Sequence, residues 1–142
     1  MSRIAITGSL EEIVLEVTDD IQHQMKTRTY RAANELRNAA LIVLRGQRSG
    51  RRYKVPGKNS YYTASAPGEP PAVRSGTFRL AWQPRTYAFG DSYFAIIDNE
   101  TFYADWLENG TPGGQMAPRP HHDRIKQAAE PAITRIYAEP YF

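Results

Sequence analysis

The chain contains no cysteine. That absence excludes a disulfide framework, a thiolate metal site and a cysteine nucleophile, and it fits a cytosolic origin. Long apolar runs are also missing. The longest in the first helical segment is Ala39 to Leu44, far short of the ~20 residues that cross a bilayer. Met1 to Ser9 lacks the apolar stretch of a signal peptide. Membrane insertion is therefore not expected. Acidic residues are nearly absent from one region: between residues 26 and 58 ten bases face Glu35 alone, a net of +9. Residues 1–25 carry Arg3 against Glu11, Glu12, Glu16, Asp19 and Asp20, a net of −4. The overall charge of +3 conceals these blocks. They suit head-to-tail contact between copies, a basic surface toward nucleic acid, or a helix whose ends match its macrodipole.

The 142 residues, 41% of them hydrophobic and 23% charged, predict a single domain, 1–142. Its radius of gyration should be about 14–15 Å. Arg3 to Thr7 alternates as a short strand would. Ser9 and Glu12 form a Ser-x-x-Glu capping box. Leu10, Ile13, Val14, Val17 and Ile21, then Ala33, Leu36, Ala40, Val43 and Leu44, follow helical spacing. A helix from Leu10 to Arg45 would be ~54 Å long, against a globule only ~37–38 Å across. It must kink in its polar middle, His23 to Thr29, or project and need a partner.

Gln47 to Gly76 shows no sustained period and predicts an extended loop or arm, 47–76, ordered against a partner. Its end is rich in Pro and Gly, and Pro70-Pro71 favours polyproline II geometry. Thr77 to Trp82 predicts a turn or short helix leading into a strand. Arg85 to Gly90 and Tyr93 to Asp98 predict a hairpin across Gly90-Asp91-Ser92. Thr101 to Glu108 predicts a short helix capped by Thr101 or Asn99 and ended by Asn109-Gly110. A last helix should start near Pro120, pass Ile125, Ala129, Ile133 and Ile136, meet a break at Pro131 and end at Pro140. The class is α+β: long N-terminal and C-terminal helices on a small antiparallel sheet, with a long extended loop between.

Catalytic signals are weak. His121-His122-Asp123 is a run of metal-ligand side chains, but neighbours on a helix point about 100° apart and do not readily share an ion. Asp105 and Glu108 share a helix face, which more often serves as a solvated surface than as an acid/base pair. Gly110 to Gly114 lacks the Lys of a phosphate loop. No enzyme activity, metal or cofactor is expected. Arg48, Arg51, Arg52, Lys54 and Lys58, interleaved with Tyr53, Tyr61 and Tyr62, could meet phosphates and bases without sequence preference. A small non-specific nucleic-acid-binding module is thus one functional reading.

Four segments in order carry a resemblance. They are Tyr61 to Pro71, Arg74 to Arg79, Tyr103 to Thr111, and Ala117 to Pro120. This order resembles the tail-completion or neck proteins of tailed bacteriophages, of the minor tail protein Z type. The chain departs from that pattern at Phe78, where an aliphatic residue is usual, and at His121, where Phe is usual. The resemblance implies a structural virion protein, assembled in the host cytoplasm as a homo-oligomeric ring (hexamer or dodecamer) at the head-tail junction. Its neighbours would be connector or stopper proteins and tail terminator or tail-tube proteins, around a channel for DNA. Pro67, Gly68, Glu69, Pro70, Pro71 and Arg74 would then form a subunit-interface arm. The five basic residues would contact DNA or a partner. Glu108, Gly110, Thr111 and Arg119 would fix a structural turn.

Overall fold

The computed structural model describes residues 2–9, 19–73, 76–90 and 92–140. Three strands form one antiparallel sheet: β1 (Ser2–Ser9), β4 (Trp82–Phe89) and β5 (Ser92–Asn99), in the order β1-β5-β4. β4 and β5 are joined at Gly90, whose positive φ of 60° suits a tight turn; Asp91 lies outside the described residues. β1 pairs with β5 along its full length, from Ser2 opposite Asn99 to Ser9 opposite Ser92. Ser9 is therefore the last residue of β1, and the capping box expected with Glu12 lies outside the described residues. Leu10, Glu12, Ile13, Val14 and Val17 lie outside the described residues.

Helix α1 (Asp19–Val43) crosses one face of the sheet. Its 25 residues span about 38 Å, no more than the width of the domain, so the described helix does not project. Nor does it break at the polar middle. Thr29 is buried, donating to the Met25 carbonyl at 2.8 Å and accepting from the Tyr137 hydroxyl at 3.0 Å. Of the polar residues there, Arg28 and Thr29 face inward, while His23, Lys26 and Thr27 are exposed. Ala32, Ala33, Ala39 and Ala40 keep the helix surface flat enough for the second long helix, α4 (His122–Ala138), to lie against it. Ile125, Ala129 and Ile133 of α4, Leu36 and Leu44 beside α1's alanines, and Ile4, Trp82, Ala95 and Ile97 of the sheet make one core. On the opposite sheet face the buried Asp98 carboxylate accepts from Arg3 at 2.7 and 3.2 Å, and Tyr87 stacks on Phe94 at 4.8 Å.

α4 starts later than expected. Pro120 precedes it by two residues, and His121 takes the cap position. Pro131 stands inside the helix, which continues past it to Ala138. Glu139, with ψ of 141°, is extended as a residue before proline should be. The C-terminal carbonyls of α4 are collected by Arg28 of α1, which is only 5% exposed. Its guanidinium donates to the carbonyls of Ile136 and Tyr137, both at 3.3 Å, of Glu139, and of Pro140 at 2.8 Å.

The region expected to be an extended loop, 47–76, contains a hairpin of its own. β2 (Arg52–Lys54) pairs with β3 (Tyr61–Thr63), and Gly50 and Ala64 continue the pairing at 2.9 Å. Three-residue strands are too short to show periodicity. Two short helices complete the fold. α2 (Thr77–Leu80) leads into β4, and α3 (Ala104–Asn109) follows β5. Asn99 does not cap α3 directly; its Oδ1 accepts from the Thr101 amide and hydroxyl, one turn earlier.

Replacing Arg28 by Met leaves several carbonyls at the end of α4 without donors. The expected loss is about 2–3 kcal/mol of unfolding free energy, read from urea midpoints. Arg31→Met, which breaks a solvent-exposed pair with Glu139, should change the midpoint far less. Equal effects would contradict the clamp.

Candidate functional site

Helix α3 stops at Gly110, whose amide bonds back to the Trp106 carbonyl at 2.8 Å. Gly110 has φ of 81°, and a Cβ there would meet the Met116 carbonyl oxygen at 2.8 Å. Only glycine fits both demands. The chain then closes a loop. Thr111 donates its amide to Met116 at 3.1 Å, and its hydroxyl accepts from the Met116 amide at 2.9 Å. Arg119 returns to α3, its amide bonding to the Leu107 carbonyl at 2.6 Å.

That return brings the Glu108 carboxylate to the first amides of α4. Its Oε2 accepts from His121 N at 2.8 Å and from His122 N at 3.3 Å. A carboxylate at this point satisfies donors that a helix leaves open and meets the positive end of the dipole. The Arg119 guanidinium donates to Ser65 Oγ at 2.8 Å and to the carbonyls of Ala117 at 2.8 Å and Pro118 at 3.3 Å. Glu108, Gly110, Thr111 and Arg119 thus meet in one junction.

The arm joins the same junction. Gly68 N donates to the Pro118 carbonyl at 3.2 Å, and Arg124 donates to the Gly68 carbonyl at 3.3 Å. Glu69 accepts from Ala66 N at 2.7 Å and from the Ser49 amide and hydroxyl, each at 3.0 Å. These bonds, the Ala66 amide first, hold its carboxyl below the usual range. Arg48 donates to the Pro70, Pro71 and Val43 carbonyls at 2.7, 3.1 and 2.9 Å, and Pro70 and Pro71 are buried. For Glu69, Pro70 and Pro71 the docking expected on a neighbour is made within the chain, because loop 44–50 supplies the partners. Arg48 likewise is a brace rather than a free cation. Pro67 and Gly68 stay exposed. Arg74 lies outside the described residues. Arg51, Arg52, Lys54 and Lys58 are not part of the junction and sit exposed on the hairpin.

Comparison with protein families, curated proteins and solved structures finds no match. The chemistry of the junction must be read from its geometry.

His121, His122 and Glu108 each bring a donor atom within 4.8 Å of the others. The helical spacing that argued against this does not apply, because His121 at φ −144° and ψ −19° is not helical. The two rings lie 4.9 Å apart, nearly perpendicular. His121 Nδ1 faces two acceptors, the Arg119 carbonyl at 2.8 Å and Glu108 Oε2 at 2.9 Å. It therefore carries a proton and offers no lone pair to an ion. His122 Nε2 is hydrogen-bonded to Ser2 Oγ. Its Nδ1 is 3.9 Å from Glu108, beyond hydrogen-bond reach. A nucleophilic Ser2 would be out of a substrate's reach, since Ser2 is 2% exposed. The cluster acts as a polar stitch binding β1, α3 and α4. Ser2 and Ser65 escaped the sequence reading because only tertiary contact assembles them, and His122 figured there only in a run of metal-ligand side chains.

His121 is fully buried, edge-on to Phe78 at 5.4 Å and to Trp82 at 6.0 Å. His121 Nε2 and Trp82 Nε1 are both buried without a hydrogen-bond partner. Burial lowers the pKa of both His121 and His122, outweighing the Glu108 carboxylate. With folded pKa values below the ordinary 6.5, the unfolded chain takes up protons first. Stability is fully present above pH 6.5 and falls as pH drops toward the depressed values. His121→Phe should therefore flatten the loss in urea midpoint between about pH 7.5 and about pH 5.5. An unchanged pH profile would exclude His121 as a source of that loss. Glu108→Ala should cost about 1–2 kcal/mol at neutral pH, and Glu108→Gln, which keeps an acceptor, less.

Proposed function

We propose that this chain is a structural virion protein of a tailed phage, acting as a ring at the head-tail junction that joins tail to head around the DNA channel. One observation carries the reading. Segments that bear the resemblance to neck and tail-completion proteins converge on one junction, where Glu69, Glu108 and Arg119 hydrogen-bond to their own chain. Residues whose role is to hold segments together are what a scaffold requires. Asn99 likewise ties β5 to α2 through the Phe78 carbonyl at 2.9 Å.

Exposed aromatics support assembly. Phe89 at one end of the sheet and Phe102 beyond the other are 78% and 83% exposed. A ring uses contacts in which one surface of a copy meets a different surface of the next, and apolar side chains at two separate places suit it. Among the described residues no helix is long and apolar enough to cross a membrane.

Electron microscopy and native mass measurement of the purified protein, alone and with the connector and tail proteins encoded beside it, should reveal a ring with a central channel. A monomer at high concentration that stays a monomer with those partners would overturn the reading.

A further inference from the structure

The hairpin β2–β3 has two unlike faces. Tyr53 and Tyr62, directly opposite each other with ring centroids 5.9 Å apart, lie on one face. Tyr62 turns inward, lining a groove of about 810 Å³ with Val55, Phe78, Leu107 and Met116. Strand alternation then places Arg52, Lys54, Tyr61 and Thr63 on the other face, and all four are exposed. The same alternation puts Arg51 on the Tyr53 face, and Lys58 stands in the turn and lines the groove; both are exposed. Residues 50–63 hold four cations and no carboxylate.

The cations near the junction are occupied. Arg48 and Arg119 spend their guanidinium groups on carbonyls and a hydroxyl. On the hairpin the guanidinium groups instead lie over rings: Arg52 is 4.8 Å from the Tyr61 centroid, and Arg51 is 5.6 Å from that of Tyr53. A ring face orients an arginine without consuming its N–H donors. Arg52 and Lys54, two residues apart on one strand, are separated by about 6–7 Å. That lets them address neighbouring phosphates of one strand, which in a duplex recur every ~3.4 Å of rise.

We infer that the outward face of this hairpin, Arg52, Lys54 and Tyr61, binds the phosphate backbone of duplex DNA without sequence preference. Charge complementarity selects this occupant: four cations without a carboxylate among them suit a continuous polyanion. The inference stands on the hairpin alone and holds whether or not the chain forms a ring.

The test is fluorescence anisotropy of the full chain with a labelled duplex of about 30 base pairs, from roughly 50 to 200 mM salt. The double variant Arg52→Gln, Lys54→Gln should make the slope of log K against log salt shallower by roughly 1.8, about 0.9 for each phosphate contact removed. The swap Arg52→Lys, Lys54→Arg should keep the slope, which separates charge from any disturbance of the hairpin. The pair Lys26→Gln, Lys126→Gln removes the same net charge from exposed sites on α1 and α4 and should leave the slope unchanged. Absence of duplex binding by the unaltered protein would overturn the inference. So would an equal loss in the Lys26, Lys126 pair, or a hairpin variant that keeps its slope but loses association with a protein neighbour. Sedimentation of the same samples keeps the two readings apart. A monomer that binds duplex leaves this inference standing against the ring, and a ring that does not bind leaves only the ring.

Discussion

The Glu108 carboxylate sits on the first amides of α4, and the arrangement of the C-terminal half depends on that contact. It fixes where α4 begins, and so which residues of α4 reach the alanine face of α1. At the far end Arg28 gathers the last carbonyls of the same helix. The anion lies at the positive end of the helix dipole and the cation at its negative end. Held at both ends, α4 accommodates Pro131 in its interior, where proline removes a hydrogen bond and ordinarily costs about 3 kcal/mol. Both clamps are tertiary: neither Glu108 nor Arg28 belongs to the helix it terminates.

In a chain without cysteine, arginine does much of the cross-linking. Arg28 and Arg48 bind several carbonyls each. Arg37 holds the Trp82 carbonyl at 2.9 Å, Arg79 holds that of Leu41 at 2.8 Å, and Arg119 bridges the loop before α4 to Ser65. The guanidinium fork suits this use, because it donates in several directions and stays charged when partly buried. The charge blocks of the sequence change meaning accordingly. Part of the +9 between residues 26 and 58 is structural, in Arg28, Arg37 and Arg48. What is left for solvent is concentrated on the hairpin.

Local signals made some elements legible in the sequence. The β4–β5 hairpin was marked by alternation and Gly90, and the end of α4 by Pro140. The order of segments also singled out Glu108, Gly110, Thr111 and Arg119. Other features were hidden because their cause is distant. The middle of α1 reads as a weak, polar stretch until α4 and the two residues after it supply the Tyr137 hydroxyl and four carbonyls to its Thr29 and Arg28. His121 and His122 seemed unable to converge because a regular helix was assumed through them. A non-helical His121, set by the return of Arg119 to α3, brings both rings to Glu108. The strands of the small hairpin fell below the length at which a period can be seen.

The Pro-rich arm is best understood from what it holds. An isolated two-stranded hairpin is marginal in water, yet β2–β3 is tied at its base. Ser49 is bound to Glu69, Gly50 to Ala64, and Arg48 to Pro70 and Pro71. Gly50 is needed there, since a Cβ would meet the Ala64 carbonyl oxygen at 2.5 Å. Proline stiffness removes backbone freedom from the arm, and the arm in turn fixes the direction in which the hairpin leaves the domain. Four cations on a strut of fixed direction lose less entropy on meeting a polyanion than the same charges on a free loop. The segment without chemistry of its own thus serves to aim the segment that has it.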